Sequence, residues 1–204
     1  MYFLILTGRI KIIEHMNTIK ISAFSGSLRK ESYTTKLIHA LQKSAPESIS
    51  VMRIDIGNLP LINEDLEADL PQAVKDLHNS IKESDAFIFA TPEYNRSYSP
   101  VIKNAIDWGS RPQGNNLWNE KPAAVIGCSP YSLGGFGAVN HLRQVMMYVN
   151  LAPMQQPEFY LSNAADVLQQ NGDVNDEETK KHIYEFWSAF EFWIKKIKYA
   201  HAES

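Results

Sequence analysis

Three stretches of the sequence carry residue types suited to holding a phosphorylated, planar ligand. The first is Ser25-Gly26-Ser27-Leu28-Arg29-Lys30-Glu31-Ser32-Tyr33-Thr34-Thr35. Gly26 and its small neighbours allow a tight turn. The hydroxyls of Ser27, Ser32 and Thr34, the Arg29 guanidinium and the first N–H groups of a following helix could converge on one point. That set suits a dianionic phosphate monoester, because a helix N-terminus favours anions. The spacing is neither G-x-G-x-x-G nor a Walker P-loop. The plain alternative is a Ser-rich turn with a helix cap. The second stretch is Thr91-Pro92-Glu93-Tyr94-Asn95-Arg96-Ser97. Pro92 fixes one torsion and Asn95 tolerates unusual backbone angles. Such a loop can present N–H groups to a planar heterocycle, or simply lead into a capped helix. The third is Gly127-Cys128-Ser129-Pro130-Tyr131-Ser132-Leu133-Gly134-Gly135-Phe136-Gly137. Its glycines let backbone approach a ligand closely; a flexible connection is the alternative. Cys128 reads better as a small packed residue than as a nucleophile.

These stretches need elements to position them, and the hydrophobic pattern supplies them from residue 18 onward. Strands are expected at Ile19–Phe24, Ile49–Ile54, Ala86–Ala90 and Ala123–Gly127. A fifth is expected between Leu151 and Tyr160, blurred by Pro153 and Pro157. Helices are expected over 32–45, 71–83, 100–108, 136–149 and 176–198, with Ser99 capping and Pro100 opening the third. The last carries Phe186, Phe190, Trp193 and Ile197 on one face. Residues 57–70 read as a long connection. Alternating strands and helices imply a parallel sheet covered on both faces. Ligands of such sheets sit beyond the carboxyl ends of the strands, where strand order reverses. All three stretches fall at such ends, and that coincidence outweighs any one of them.

The bulk properties set limits. With 204 residues the chain fits one domain. A net charge of −3 argues against non-specific nucleic-acid binding. The single cysteine excludes an internal disulfide and a cysteine-based zinc site, and it fits a reducing compartment. The six histidines lack metal-ligand spacing, so no metal is expected. No apolar run reaches the roughly 20 residues of a membrane span. No signal peptide is evident, so the expectation is a cytoplasmic protein without membrane partners. Residues 1–17 read as an extension, with Met16 as an alternative start.

The motifs together resemble the NADPH-dependent FMN reductase family, which includes bacterial quinone, chromate and azo-dye reductases. The match rests on Gly26-Ser27-Leu28-Arg29-x-x-Ser32, Pro92-Glu93-Tyr94-Asn95-x-Ser97 and Pro100-x-x-Lys103-Asn104-Ala105-Ile106-Asp107-Trp108. It continues through Ser129, Gly134, Gly135 and Gly137 to Leu142-Arg143. The resemblance implies an α/β, flavodoxin-like three-layer sandwich over 18–198, with strand order 2-1-3-4-5. It implies FMN as cofactor and NADPH or NADH as electron donor. The phosphate would meet Ser27, Arg29, Ser32, Tyr33 and Thr34. Pro92, Glu93, Tyr94 and Asn95 would lie along the isoalloxazine ring, and Ser129 and the Gly134 loop would flank its pyrimidine side.

The implied reaction is a two-step exchange in which the flavin carries electrons from NAD(P)H to quinones, flavins or other small acceptors. No catalytic side chain is required. Arg96 and Arg111 are candidates for the donor's phosphates, with solvated arginines as the alternative; Tyr131 and Phe136 are candidates to border the substrate space. Asp107 and Trp108 read as packing residues. The family implies a homodimer, and in some members a tetramer. Gly137 and Asn140 stand where some tetrameric members carry Arg and Tyr. A rival is a flavodoxin-like electron carrier that docks a protein and does not oxidise NAD(P)H; such carriers tend to be strongly acidic. A flavin-binding regulatory subunit is another. A phosphoacceptor domain would need paired acids where Ser25-Gly26-Ser27 stands.

Overall fold

A computed structural model describes residues 18–202 together with two short strands at 5–6 and 9–10 that pair with each other. The rest of the expected N-terminal extension, including Met16, lies outside the described residues. The main sheet begins with β1 (Ile19–Ser25) and β2 (Ile49–Ile54), followed by β3 (Ala86–Thr91) and β4 (Pro122–Cys128). Every pairing among them is parallel, in the order β2-β1-β3-β4. The fifth position is divided between β5 (Ala152–Pro153) and β6 (Phe159–Leu161), both paired with β4. Pro153 and Pro157 have no N–H to donate, and the ladder is interrupted between them. The order is therefore 2-1-3-4-5 with a broken last strand.

Side-chain alternation along the strands builds two cores, one on each face. Ile21, Ile88 and Ile126 point toward α1 (Tyr33–Ser44) and the C-terminal helix. Phe24, Phe87, Phe89 and Val125 point the other way, toward α2 (Gln72–Glu83), α3 (Pro100–Gly109) and α4 (Phe136–Tyr148). β3 and β4 are buried along their whole length, as central strands of a doubly covered sheet must be. A short α5 (Ala164–Val167) precedes α6 (Glu177–Ala202).

Two elements carry detail beyond the sequence reading. α6 buries Ile183, Phe186, Trp187, Phe190 and Ile194. Trp193 and Ile197 are only half-buried at the margin, and the Trp193 indole donates to the Ala152 carbonyl at 2.8 Å. Ile183 and Trp187 flank the face that carries Phe186 and Phe190 and complete the buried stripe. The 57–70 connection also contains a 3-10 helix at Glu64–Asp69. It is pinned to α3: the Asn104 amide and the Trp108 indole both donate to the Pro60 carbonyl, at 2.9 and 2.7 Å. Asn104 Oδ1 accepts from the Ile62 N–H. The Asn104–Trp108 motif therefore serves packing, as expected of Trp108.

Candidate functional site

The loop after β1 sits against the loop after β3. A Cβ at Gly26 would come within 2.7 Å of the Pro92 ring and 2.9 Å of Ile102, so only glycine fits there. Ser32 caps α1, its Oγ accepting from the Thr35 N–H at 3.1 Å. Ser25, Ser32, Thr34 and Thr35 form one hydroxyl network, with oxygen separations of 2.8–2.9 Å. Ser32 and Thr34 are buried while Arg29 is exposed, its guanidinium 5.9 Å from the Tyr33 ring centre. The N–H groups of Tyr33 and Thr34, at the first two helical positions, have no intrahelical acceptor. This end of α1 offers hydroxyls, free N–H groups and one arginine to an anion.

The loop after β3 is a two-residue hairpin. Tyr94 and Ser97 exchange both backbone hydrogen bonds, at 2.9 and 3.0 Å. Asn95 and Arg96 between them have φ of +50° and +66°. Both are left-handed, the geometry of a type I′ turn, which suits Asn far better than Arg. Ser99 Oγ then caps α3, with Pro100 opening it, as expected.

After β4, Ser129 Oγ accepts from the Tyr131 N–H at 3.1 Å. Gly135 (φ +87°) starts α4 without a side-chain cap of its own. The cap comes from another loop. Glu93 Oε2 accepts from the N–H groups of Gly137 at 2.9 Å and Ala138 at 3.3 Å.

These loops enclose a cleft of about 270 Å³ across the carboxyl ends of β1, β3 and β4. Ser27, Arg29, Tyr33 and Thr34 line one end of it; Pro92, Glu93, Tyr94 and Ser129 line the other. An adjoining hollow of about 360 Å³ shares Glu93, Ser129 and Tyr131 with the cleft, and Asn95 and Arg96 border it. Eight of the eleven residues named from the sequence thus meet in one cleft, and Asn95 borders the next. Ser32 lies in the wall behind the cleft. Gly134 packs against the last strand, where a Cβ would come within 2.9 Å of the Tyr160 backbone.

The other candidates separate clearly. Arg96 is exposed at the hollow and pairs with Glu93 at 3.3 Å. Arg111 is committed elsewhere: it pairs with Glu64 at 3.0 Å and with Glu67. Those two acids hold its guanidinium above the usual arginine range. Tyr131 lines both hollows, and Phe136 packs on Tyr160 with ring centres 5.5 Å apart. Cys128 and Pro130 also line the cleft without having been singled out as site residues. Burial pushes the Cys128 thiol up to about 12. Ser25 and Thr35 were not singled out either; the signal was a hydroxyl at the last residue of β1 and another in the first turn of α1.

A parallel 2-1-3-4-5 sheet with this cleft across its strand ends defines a flavodoxin-like α/β protein. Residues 19–166 match the NADPH-dependent FMN reductase family, and the chain belongs to that family. A quinone reductase from Pseudomonas putida is 44% identical over 176 residues, covering 86% of this chain and 94% of its own. An NADPH:quinone oxidoreductase from Arabidopsis thaliana is 42% identical, covering 81% of this chain and 86% of the relative. Among solved structures, FerB, a flavoenzyme NAD(P)H:(acceptor) oxidoreductase from Paracoccus denitrificans, superposes with a TM-score of 0.84. It is 44% identical and covers 87% of this chain and 98% of its own.

Proposed function

We propose that the chain is an FMN-carrying oxidoreductase that takes electrons from NAD(P)H and passes them to quinones and other small acceptors. Family membership supports the FMN and nicotinamide chemistry, and the names of the relatives support quinones as acceptors. The observation that carries the site reading is the open end of α1, which faces the same cleft as the loops after β3 and β4.

The donor set fits FMN. Its phosphate is a dianion, and the hydroxyls of Ser27 and Thr34, the N–H groups of Tyr33 and Thr34, and Arg29 match it. Ser32 holds this group together from behind. Pro92, Glu93, Tyr94 and Asn95 offer backbone along a flat ligand, and Ser129 with the Gly134 turn closes the far side. When bound, FMN supplies a centre that takes a hydride from the nicotinamide and later gives up electrons to an acceptor. The side chains bind and orient; none has to act as nucleophile or base. The outer hollow, bordered by Asn95, Arg96 and Tyr131, is the space for donor and acceptor in turn. A flat, open space of this kind discriminates poorly among acceptors.

The chain acts as a homodimer in this reading. Gly137 and Asn140, where some tetrameric members carry Arg and Tyr, favour the dimer over a tetramer of that type. Among the described residues no helix is long and apolar enough to cross a membrane. A cytoplasmic site of action is part of the same proposal.

The test is anaerobic stopped flow on the FMN-loaded protein. Flavin absorbance should bleach rapidly with NADPH or NADH and return on adding a quinone, and the faster donor identifies the preference. Tight FMN binding without bleaching by either donor would favour the electron carrier. Sedimentation velocity tests the dimer; a monomer at micromolar concentration would sink it.

A further inference from the structure

Three helices begin around the cleft, and their first turns are satisfied differently. α1 leaves N–H groups open, as described. α4 leaves none. Phe136 N–H donates to Leu133 O at 3.0 Å, Val139 N–H donates to Gly135 O at 3.0 Å, and the two between donate to Glu93. The positive end of α4 is thus met by a carboxylate from the β3–α3 loop rather than left for a ligand. The other oxygen of Glu93 faces Arg96 at 3.3 Å. A second link joins the same loop to the same helix one turn on: Ser97 Oγ lies 3.0 Å from His141 Nδ1. The Tyr98 ring packs on the His141 ring with centres 5.1 Å apart.

We infer that Glu93 and His141 are positioning residues that tie the Tyr94–Ser97 hairpin to α4, and that Glu93 also sets the charge beside the flavin. This deepens the reading above and rests on it. The need for a tether is visible in the backbone. Arg96 is a non-glycine residue at φ +66°, a conformation that surrounding contacts must hold in place. The links at Glu93 and Ser97 stand on either side of it. Without them the hairpin can relax, and its backbone leaves the wall of the cleft. The charge follows a separate path. Glu93 offsets the positive end of α4, so neutralising it makes the cleft more positive. A more positive cleft favours the electron-rich, reduced flavin.

Two substitutions separate tether from charge. Glu93→Gln keeps an oxygen to accept from Gly137 and loses the charge; Glu93→Ala loses both. We expect Glu93→Ala to raise the Kd for FMN about tenfold, the scale of a lost cap together with released strain. Glu93→Gln should stay within about threefold of the parent, since the tether survives. Both should raise the flavin midpoint potential, measured by dye equilibration, which a purely structural role would not do in Glu93→Gln. His141→Ala should weaken FMN binding without moving the potential upward. Melting temperatures confirm that each variant is folded. Unchanged FMN affinity in Glu93→Ala and an unchanged potential in Glu93→Gln, with a parent that binds FMN tightly, would overturn the inference alone. A parent that binds no FMN would overturn the reading it rests on, and the inference with it.

Discussion

Arg29 and Cys128 border the same cleft and illustrate opposite ways of handling a polar group. Arg29 is exposed and pairs with no acid among the described residues; the nearby Glu31 is taken up by Lys36 at 3.2 Å. That bridge holds the Glu31 carboxyl below the usual range, through its hydrogen bond to Lys36, and keeps the acid's charge compensated. Arg29 is therefore available to a phosphate. Arg29→Ala should weaken FMN binding by about 1.5–3 kcal/mol, the scale of a hydrogen bond to a charged group. A fluorescence titration with unchanged Kd would remove the phosphate assignment. Cys128 instead touches the cleft from inside the wall, and burial pushes its thiol to about 12. Thiolate is the reactive form, so the native protein should resist iodoacetamide near neutral pH and react once denatured. Modification of the folded protein at the rate of a free thiol, read by intact mass, would contradict this burial. Sequence alone supported both assignments, because one depends on residue type and the other on the apolar run before it. It did not show that the Glu93 side chain is used by α4, since that contact joins residues 44 apart.

At the scale of elements, the positions of the site loops depend on how the connections are held. The boundaries of the first four strands were readable from apolar runs, and Ser99-Pro100 marked the start of α3 by a known end signal. The 57–70 connection carries no such periodicity, and its 3-10 turn exists because α3 holds it from the side. Arg111, which looks free in sequence, belongs to this fastening: it reaches Glu64 and Glu67 across 47 and 44 positions of chain respectively. Asn104 makes the central link, donating to Pro60 O and accepting from Ile62 N–H while itself nearly buried. Asn104→Ala leaves the part-buried Ile62 N–H without its acceptor, while the Pro60 carbonyl keeps only the Trp108 indole. The loss should be about 1–3 kcal/mol in urea unfolding. Hydrogen exchange should accelerate at the Ile62 amide and its neighbours, with β3 and β4 unaffected. Uniform acceleration over the whole sheet would mean that the connection is integral to the core rather than fastened to it.

The whole molecule is a sheet between two apolar layers, and its sequence shows this because β3 and β4 are apolar on both faces while α1, α2 and α4 are apolar on one. Pro153 and Pro157 marked the fifth strand as blurred, but that it divides into two pieces both paired with β4 was not visible, since the pairing depends on a distant strand. The same long-range assembly determines the response to acid. The 169–175 segment covers α1, and a Cβ at Gly172 would come within 2.7 Å of His39. Lys43 pairs with Asp173 at 2.7 Å and fastens that segment. His39 is consequently held below the usual histidine range, by desolvation first and then by the nearby charges of Arg53 and Lys43. The unfolded chain thus takes up this proton at a higher pH than the folded one. His39 costs no stability above its ordinary value of 6.5, and stability falls as pH drops through that value toward the lower folded one. Asp173 and Asp176 are also depressed, each mainly by a side-chain hydrogen bond, from Lys43 and from Thr179. Their contribution is present above the ordinary carboxyl value of 3.8 and is lost only in stronger acid. The first acid loss should therefore belong to the histidine. Urea unfolding at about pH 7.5 and about pH 5.5 should show lower stability at the lower pH, and His39→Gln should reduce that difference. An equal difference in the variant would place the early acid sensitivity on another group.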